Sequence, residues 1–266
     1  MTFSTQAITP HLGAVARGLD LSRKPDSALR AELEEAMAQH LVLVIEDQDL
    51  TPVQLRDLAL TFAPPHLHHA DDHVHFADDL PEVLDLRRDA QGGHVFGGGG
   101  WHADVTFQKP AGYFSFLHAK VLPPAGGDTG FASTIAAFNA LSPGMQAMLR
   151  GMRAVHSYDG PDRPEHKTLT VTHPVVRKHP MTGAEGLYLN TMFVTRFDGM
   201  TPEESRPLLL WLEAHMTRME FTLRLRWQPG HLVIWDNRFT LHYPSNDFSG
   251  HERHMIRCAT LEPGAL

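Results

Sequence analysis

Cysteine is nearly missing from this chain, and its scarcity removes several chemistries at once. Cys258 stands alone among 266 residues, which excludes an internal disulfide and any CxxC zinc or redox pair. That usage suits a reducing compartment, and the expected location is the cytoplasm. Long apolar runs are missing too. No stretch approaches the roughly 20 apolar residues of a membrane helix, and Met1 to Leu12 shows no basic segment followed by an apolar one. Positive charge is in short supply: 23 Lys and Arg against 31 Asp and Glu give a net charge of −8. Nucleic acid and anionic membranes both require a basic footprint, so neither is an expected partner. There is no G-x-S-x-G, and the run Gly97 to Gly100 lacks the Lys-Ser/Thr of a phosphate loop. The expected partner is a small molecule.

What the chain has in surplus is histidine. Nineteen are present, and imidazole is the commonest side-chain metal ligand. A hydrophobic share of 42% and a charged share of 20%, without repeats or low-complexity tracts, describe an ordinary globular chain, read as a single domain over 1–266. Leu29, Leu33 and Met37 at helical spacing predict a helix over Ser27 to His40, followed by a buried strand at Leu41 to Ile45. Thr51-Pro52 with Gln54, and Thr201-Pro202 with Glu204, are capping-box starts for helices reaching Phe62 and Met216. Shorter helices are expected at Thr134 to Leu141 and Pro143 to Met152. Strands are expected at Gly112 to Ala119, Arg153 to Tyr158, Val171 to Val176, Leu187 to Leu189, Phe221 to Trp227, His231 to Trp235 and His254 to Thr260. Many short strands without regular strand-helix alternation indicate a mainly β fold with flanking helices, a double-stranded β-helix or jelly roll. The segment 66–100, rich in His, acid and Gly, reads as a mobile lid loop.

The chemistry concentrates in Trp101-His102-Ala103-Asp104. On an extended backbone His102 and Asp104 share a side, because strand side chains repeat every two residues. His242, in the segment from Trp235 to His242, is the natural third ligand. Two imidazoles and one carboxylate on one face of an octahedron leave three positions open, as non-haem Fe(II) oxygenases require. An H-x-D tripeptide alone is a weak signal in so histidine-rich a chain. Two other readings remain open on the residues alone: a jelly-roll Zn or Mn metalloenzyme, hydrolase or isomerase, and a non-catalytic binder of small anions.

Several features occur together and in order: the WHADVTF run, Gly126-Gly127-Asp128-Thr129, the WDNR run, and two arginines beyond His242. With the Gly13 to Leu21 run and the C-terminal Arg-Cys-Ala-Thr, the sequence resembles the taurine/2,4-D dioxygenase (TauD/TfdA) family over nearly its whole length. The resemblance implies an Fe(II) enzyme with 2-oxoglutarate and O2 as cosubstrates, yielding succinate and CO2 and hydroxylating a small anionic substrate: a sulfonate, sulfate ester, aryloxyalkanoate or related carboxylate. It implies that His102, Asp104 and His242 are the iron ligands. Thr129, 27 residues after His102, and Arg253, 11 after His242, match the pair that holds the distal carboxylate of 2-oxoglutarate. Arg257, 15 after His242, matches the arginine facing the substrate anion, and His68 a substrate-contacting histidine. Asn190, Met192 and Phe193 are further candidates for the pocket wall. Ala63 stands where the family has glycine, and Gly97 to Gly100 where a taurine site has asparagine. Trp101 and Trp235 are read as packing beside the metal, Asp236-Asn237 as a turn pair and Arg238 as its brace. A homo-oligomer, dimer or tetramer, is the family-level expectation.

Overall fold

A computed structural model describes residues 3–68, 75–91, 99–158 and 169–264. Its early strands are β1 (Ser4–Ala7), β2 (Ala14–Arg17), β3 (Val42–Ile45), β4 (Val83–Arg88), β5 (Gly112–Val121), β6 (Thr129–Ser133) and β7 (Arg153–Tyr158). The later ones are β8 (Leu169–Pro174), β9 (Val176–Lys178), β10 (Glu185–Leu187), β11 (Val194–Phe197), β12 (Thr222–Leu225), β13 (Leu232–Asp236), β14 (Thr240–Pro244) and β15 (Arg253–Leu261). Helices are α1 (Ser27–His40), α2 (Pro52–Phe62), α3 (Thr134–Asn139), α4 (Pro143–Arg150) and α5 (Pro202–Met216). Both expected capping boxes form, Thr51 with Gln54 and Thr201 with Glu204. Each satisfies backbone N–H groups that the first helical turn leaves without partners. Among the described residues no helix is long and apolar enough to cross a membrane.

A seven-stranded sheet in the order β1-β2-β3-β13-β5-β15-β4 faces a smaller sheet, β12-β6-β14. Period-two alternation decides what each face of the large sheet meets. On β13, Leu232 and Ile234 point to the layer holding Leu33, Met37, Leu55 and Phe62 of α1 and α2. Val233 and Trp235 point the other way and pack with Phe131, Leu223 and Leu225 of the smaller sheet. The same alternation on β15 sends Ile256 and Cys258 toward the helices and Met255 into the space between the sheets. Arg253 and Arg257 share Met255's parity. Strand β15 keeps regular register against β4 from Arg253 to Cys258, so both arginines face the inter-sheet space. Behind the smaller sheet, Ala132 and Leu241 pack with Phe138 of α3, Leu209 and Leu212 of α5, and Leu187 and Phe197.

The segment 66–100 is not one loop. Val83–Arg88 is a strand at the edge of the large sheet, paired with β15, because Val83 and Leu84 are buried while Arg87 is exposed. His69, His73, Gly97 and Gly98 lie outside the described residues. The stretch expected as one strand over Val171 to Val176 breaks at Val175, and the strand expected at Leu187 to Leu189 lies at Glu185–Leu187.

One turn fixes the position of the candidate site. Residues 104–107 leave the extended path, and Val105 sits at φ 55°, a left-handed conformation that costs a β-branched residue on the order of 1–3 kcal/mol. Hydrogen bonds hold it from several sides. Gly112 N–H donates to Val105 O at 3.1 Å, and a Cβ at Gly112 would overlap the Asp104 carbonyl oxygen. His173 Nε2 donates to Thr106 O at 2.9 Å, and His156 Nδ1 lies 2.9 Å from Thr106 Oγ1. Burial, with Arg177 adding repulsion, lowers the pKa of His156 to about 3 and that of His173 to about 4.

These depressed values couple stability to acid. An unfolded histidine takes up a proton near pH 6.5, whereas the folded ones stay neutral down to about 3 and 4, so the unfolded state binds more protons in between. The melting temperature should therefore be nearly level above pH 7 and fall steadily from about pH 6.5 toward 4. Circular dichroism melts across that range measure it. His173→Gln, which keeps an N–H for Thr106 O, should make the decline shallower; an unchanged slope would refute the assignment.

Candidate metal centre

Three side chains from three places converge between the two sheets. His102 and His242 face each other across an isolated antiparallel bridge, with His102 N–H to His242 O at 3.0 Å and His242 N–H to His102 O at 2.7 Å. On β14, His242 lies opposite Phe131, whose side chain packs between the sheets, and so it shares that inward face. Asp104 follows on the turn just described, so the extended geometry expected over His102 to Asp104 holds for His102 alone. The potential donor atoms of the three residues all lie within 4.8 Å of one another, and all three side chains are buried. Asp104 Oδ1 is 3.8 Å from His102 Nε2 and 3.7 Å from His242 Nε2.

The protonation states suit cation binding. Burial lowers the pKa of His102, and lowers that of His242 to about 3 with help from repulsion by His102, so both imidazoles keep a free lone pair at neutral pH. His102 Nδ1 donates to Gly100 O at 3.0 Å, which leaves Nε2 as the donor atom toward Asp104. His242 Nδ1 is buried without a partner, and its ring is held by packing, 4.9 Å from Trp235 and 6.4 Å from Phe131. Burial alone would raise the Asp104 pKa. Arg257, the two imidazoles and Ser115 outweigh it and hold the carboxyl well below the usual range. A buried, charged carboxylate flanked by two neutral imidazoles fits a divalent ion.

The other candidate residues are placed as follows. Arg257 lies on Asp104 itself, Nη2 to Oδ2 at 2.5 Å, closer to the carboxylate than the sequence implies. Its Nε is buried and unpartnered. Arg253 is part-buried, desolvation lowers its pKa to about 10, and it forms no ion pair among the described residues. Its Nε is unpartnered, its guanidinium lies 5.6 Å from the Phe248 ring, and its side chain passes Gly127. A Cβ on Gly127 would stand 3.2 Å from Arg253 Cδ, and the residue has φ +69°, so glycine is required twice over. Thr129, two residues on, is buried, and its Oγ1 accepts from Trp227 Nε1 at 3.0 Å, leaving the hydroxyl proton for another acceptor. A part-buried guanidinium with no carboxylate among the described residues, lying against Gly127 two residues before a hydroxyl with a proton to give, is a fit for a carboxylate ligand.

Phe193 stands edge-on to His102 with centroids 6.3 Å apart, and contacts Phe107 and Tyr158. Asn190 Oδ1 accepts from Phe193 N at 2.9 Å and so shapes the turn presenting that ring; its Nδ2 is buried and unpartnered. Met192, between them, is 41% exposed. His68 packs edge-to-face on His66 at 4.5 Å, and His66 N–H donates to Ala259 O, placing the pair beside the end of β15. Trp235 packs on His242 as expected, while Trp101 packs over Gly130 and Tyr243. Asn237 does stand in a turn, fully buried, and Arg238 braces that turn through Asp236, with Nη2 to Oδ2 at 2.6 Å.

Three contributors are not evident from motif spacing. Ser115 donates to Asp104 Oδ2 at 2.7 Å, Asn237 accepts from Asp104 N at 3.1 Å, and Trp227 supports Thr129. Ser115 does carry a signal, since it is the one aliphatic hydroxyl inside the Tyr-Phe-Ser-Phe-Leu stretch and its parity points inward.

Comparison with known proteins agrees with this geometry. Residues 4–259 match the family described as Taurine catabolism dioxygenase TauD, TfdA family. An alpha-ketoglutarate-dependent sulfate ester dioxygenase of Pseudomonas putida is 34% identical, covering 96% of this chain and 87% of that protein. The alpha-ketoglutarate-dependent 2,4-dichlorophenoxyacetate dioxygenase of Cupriavidus pinatubonensis is 32% identical, with full coverage of both chains. The crystal structure of a taurine dioxygenase from Burkholderia xenovorans superposes with a TM-score of 0.86 at 32% identity, covering 98% of this chain and 90% of that one. The chain belongs to the TauD/TfdA family and is an Fe(II)- and 2-oxoglutarate-dependent dioxygenase with that family's jelly-roll fold.

Proposed function

We propose that this enzyme hydroxylates a small organic anion, a sulfonate, sulfate ester, aryloxyalkanoate or related carboxylate, held beside His102, Asp104 and His242 as the iron ligands. The observation that carries this reading is the pair of part-buried arginines on one face of β15, each with a buried Nε. Among the described residues Arg253 has no anionic partner, and Arg257 uses one nitrogen on Asp104 while keeping a buried Nε without an acceptor. Arg253 is thus left for a carboxylate of the cosubstrate, and the remaining donor capacity of Arg257 for an anionic group of the substrate. The relatives named for a sulfate ester and for 2,4-dichlorophenoxyacetate support an anionic substrate of this kind.

In this assignment Arg253 and Thr129 receive the distal carboxylate of 2-oxoglutarate, the guanidinium as a charged fork and the hydroxyl as a donor fixed by Trp227. Arg257 meets the substrate anion. Phe193, with Phe107 and Tyr158 behind it, forms an apolar wall against His102, and Asn190 fixes that wall's angle. His68, which packs on His66 beside the end of β15, is assigned to the substrate side. When bound, Fe(II) and 2-oxoglutarate activate O2 and supply the oxidising power, the keto acid leaving as succinate and CO2. The protein contributes position, a dry interior and fixed charge. A hydrolytic Zn or Mn enzyme would leave Arg253 and Thr129 without a ligand, and a simple anion binder would leave the metal cluster unused. The working unit is proposed to be a cytoplasmic homo-oligomer, dimer or tetramer, formed from one domain per chain.

Under anaerobic conditions, protein with Fe(II) and 2-oxoglutarate should develop a visible metal-to-ligand charge-transfer band, and His102→Ala should abolish it. A folded parent protein with no band would overturn the assignment. Titrating that band, Arg253→Ala should weaken 2-oxoglutarate binding by about 10- to 100-fold, the worth of a charge-assisted hydrogen bond. Arg257→Lys keeps a positive charge near Asp104 but loses the fork; it should raise the KM of the primary substrate by about tenfold with a smaller effect on 2-oxoglutarate. Succinate release across a panel of sulfonates, sulfate esters and aryloxyalkanoates reads it, and the reverse pattern would mean the two arginines are exchanged in role.

A further inference from the structure

Asn237 is a buried amide with every hydrogen-bonding position in use. Its Oδ1 accepts from Asp104 N at 3.1 Å and from Trp235 Nε1 at 3.0 Å. Both partners are N–H groups, so this atom must be the oxygen, and the orientation of the amide is settled by its neighbours. Its Nδ2 donates to Tyr113 O at 3.3 Å and to Ser115 Oγ at 2.9 Å. Ser115 Oγ therefore receives a hydrogen, and receives a second, longer one from Arg257 Nη2 at 3.5 Å. Its own proton has one acceptor left, Asp104 Oδ2 at 2.7 Å. The direction of the relay follows: Asn237 to Ser115 to the carboxylate. Arg257 adds its own contact to the same oxygen. Oδ2 is thus saturated by donors, while Oδ1 is the oxygen turned toward both imidazole Nε2 atoms.

We infer that Asn237 and Ser115 are positioning residues that confine Asp104 to metal binding through Oδ1 alone. The inference rests on Asp104 being a metal ligand, and it extends that reading to coordination number. A carboxylate free to rotate can grip a divalent ion with both oxygens, and each extra protein oxygen removes a position from the ligand's share. 2-Oxoglutarate needs two positions for its keto acid end and O2 needs a third. A relay that occupies Oδ2 keeps all three open. Neither residue touches the metal or substrate; both act through Asp104, with Asn237 also fixing that residue's backbone.

Ser115→Ala removes the donor and little volume. Two measurements separate positioning from general structure: calorimetric binding of Mn(II) to the metal-free protein, and anaerobic titration of 2-oxoglutarate into the Fe(II) protein through its charge-transfer band. In Ser115→Ala, Mn(II) affinity should stay within about threefold of the parent or tighten, while 2-oxoglutarate binding weakens by about 10-fold, on the scale of one hydrogen bond to a charged group. Ser115→Thr, which restores the hydroxyl, should recover most of the loss. Asn237→Asp keeps the acceptor for Asp104 N and Trp235 but loses the donor to Ser115; it should shift in the same sense and carries the test should Ser115→Ala not fold. Unchanged 2-oxoglutarate affinity in both variants overturns the inference. So does a parallel loss of Mn(II) and 2-oxoglutarate affinity, which would mark a purely structural role. A parent protein with no band at all would instead remove the cosubstrate assignment.

Discussion

The Asp104 carboxylate carries its charge in the dry space between two sheets, where an unmatched ion costs several kcal/mol. Arg257 and Ser115 match it on one oxygen, and two neutral imidazoles face the other. Each neighbour has its own reason to be where it is. The guanidinium arrives from β15, the hydroxyl from β5 and one imidazole from β14, because parity turns those positions inward on strands whose other residues build the core. The hydrophobic layers therefore do more than stabilise. They set the register by which four chain segments deliver polar groups to one point.

The turn after Asp104 shows how a strained conformation is kept. Val105 in the left-handed region would relax if left alone, and the hydrogen bonds to Val105 O, Thr106 O and Asp104 N prevent that. The histidines serving Thr106 are themselves buried and neutral. Local strain, buried histidines and a close glycine contact are one device seen from three sides.

Much of this was legible in the sequence. Helices α1, α2 and α5 were read to their ends because capping boxes and apolar spacing are local signals, whereas α3 and α4 stop at Asn139 and Arg150, two residues short of the expected Leu141 and Met152. The convergence of His102, Asp104 and His242 was legible from the H-x-D tripeptide and the later histidine, although the backbone at Asp104 turns where extension was expected. Strand β4 was missed because Val-Leu-Asp-Leu-Arg-Arg is short, acidic on one side and embedded among histidines and glycines. Asn237 read as an ordinary turn residue, and only the fold shows that its amide reaches Asp104, 133 positions away in sequence. Such contacts depend on the topology of the sheets, and no local pattern encodes them.

The bridge between His102 and His242 has a bearing on metal choice. Because the main chain itself sets the spacing of the two imidazoles, no ion has to draw the ligands together, and little of its binding energy is diverted into ordering them. A cage built in advance from two nitrogens and an oxygen will accept several first-row divalent metals, with affinities following their intrinsic series rather than any preference of the protein. Which metal occupies it would then be decided by supply in the cell, and exposure to zinc or copper becomes a route to silencing an otherwise intact fold.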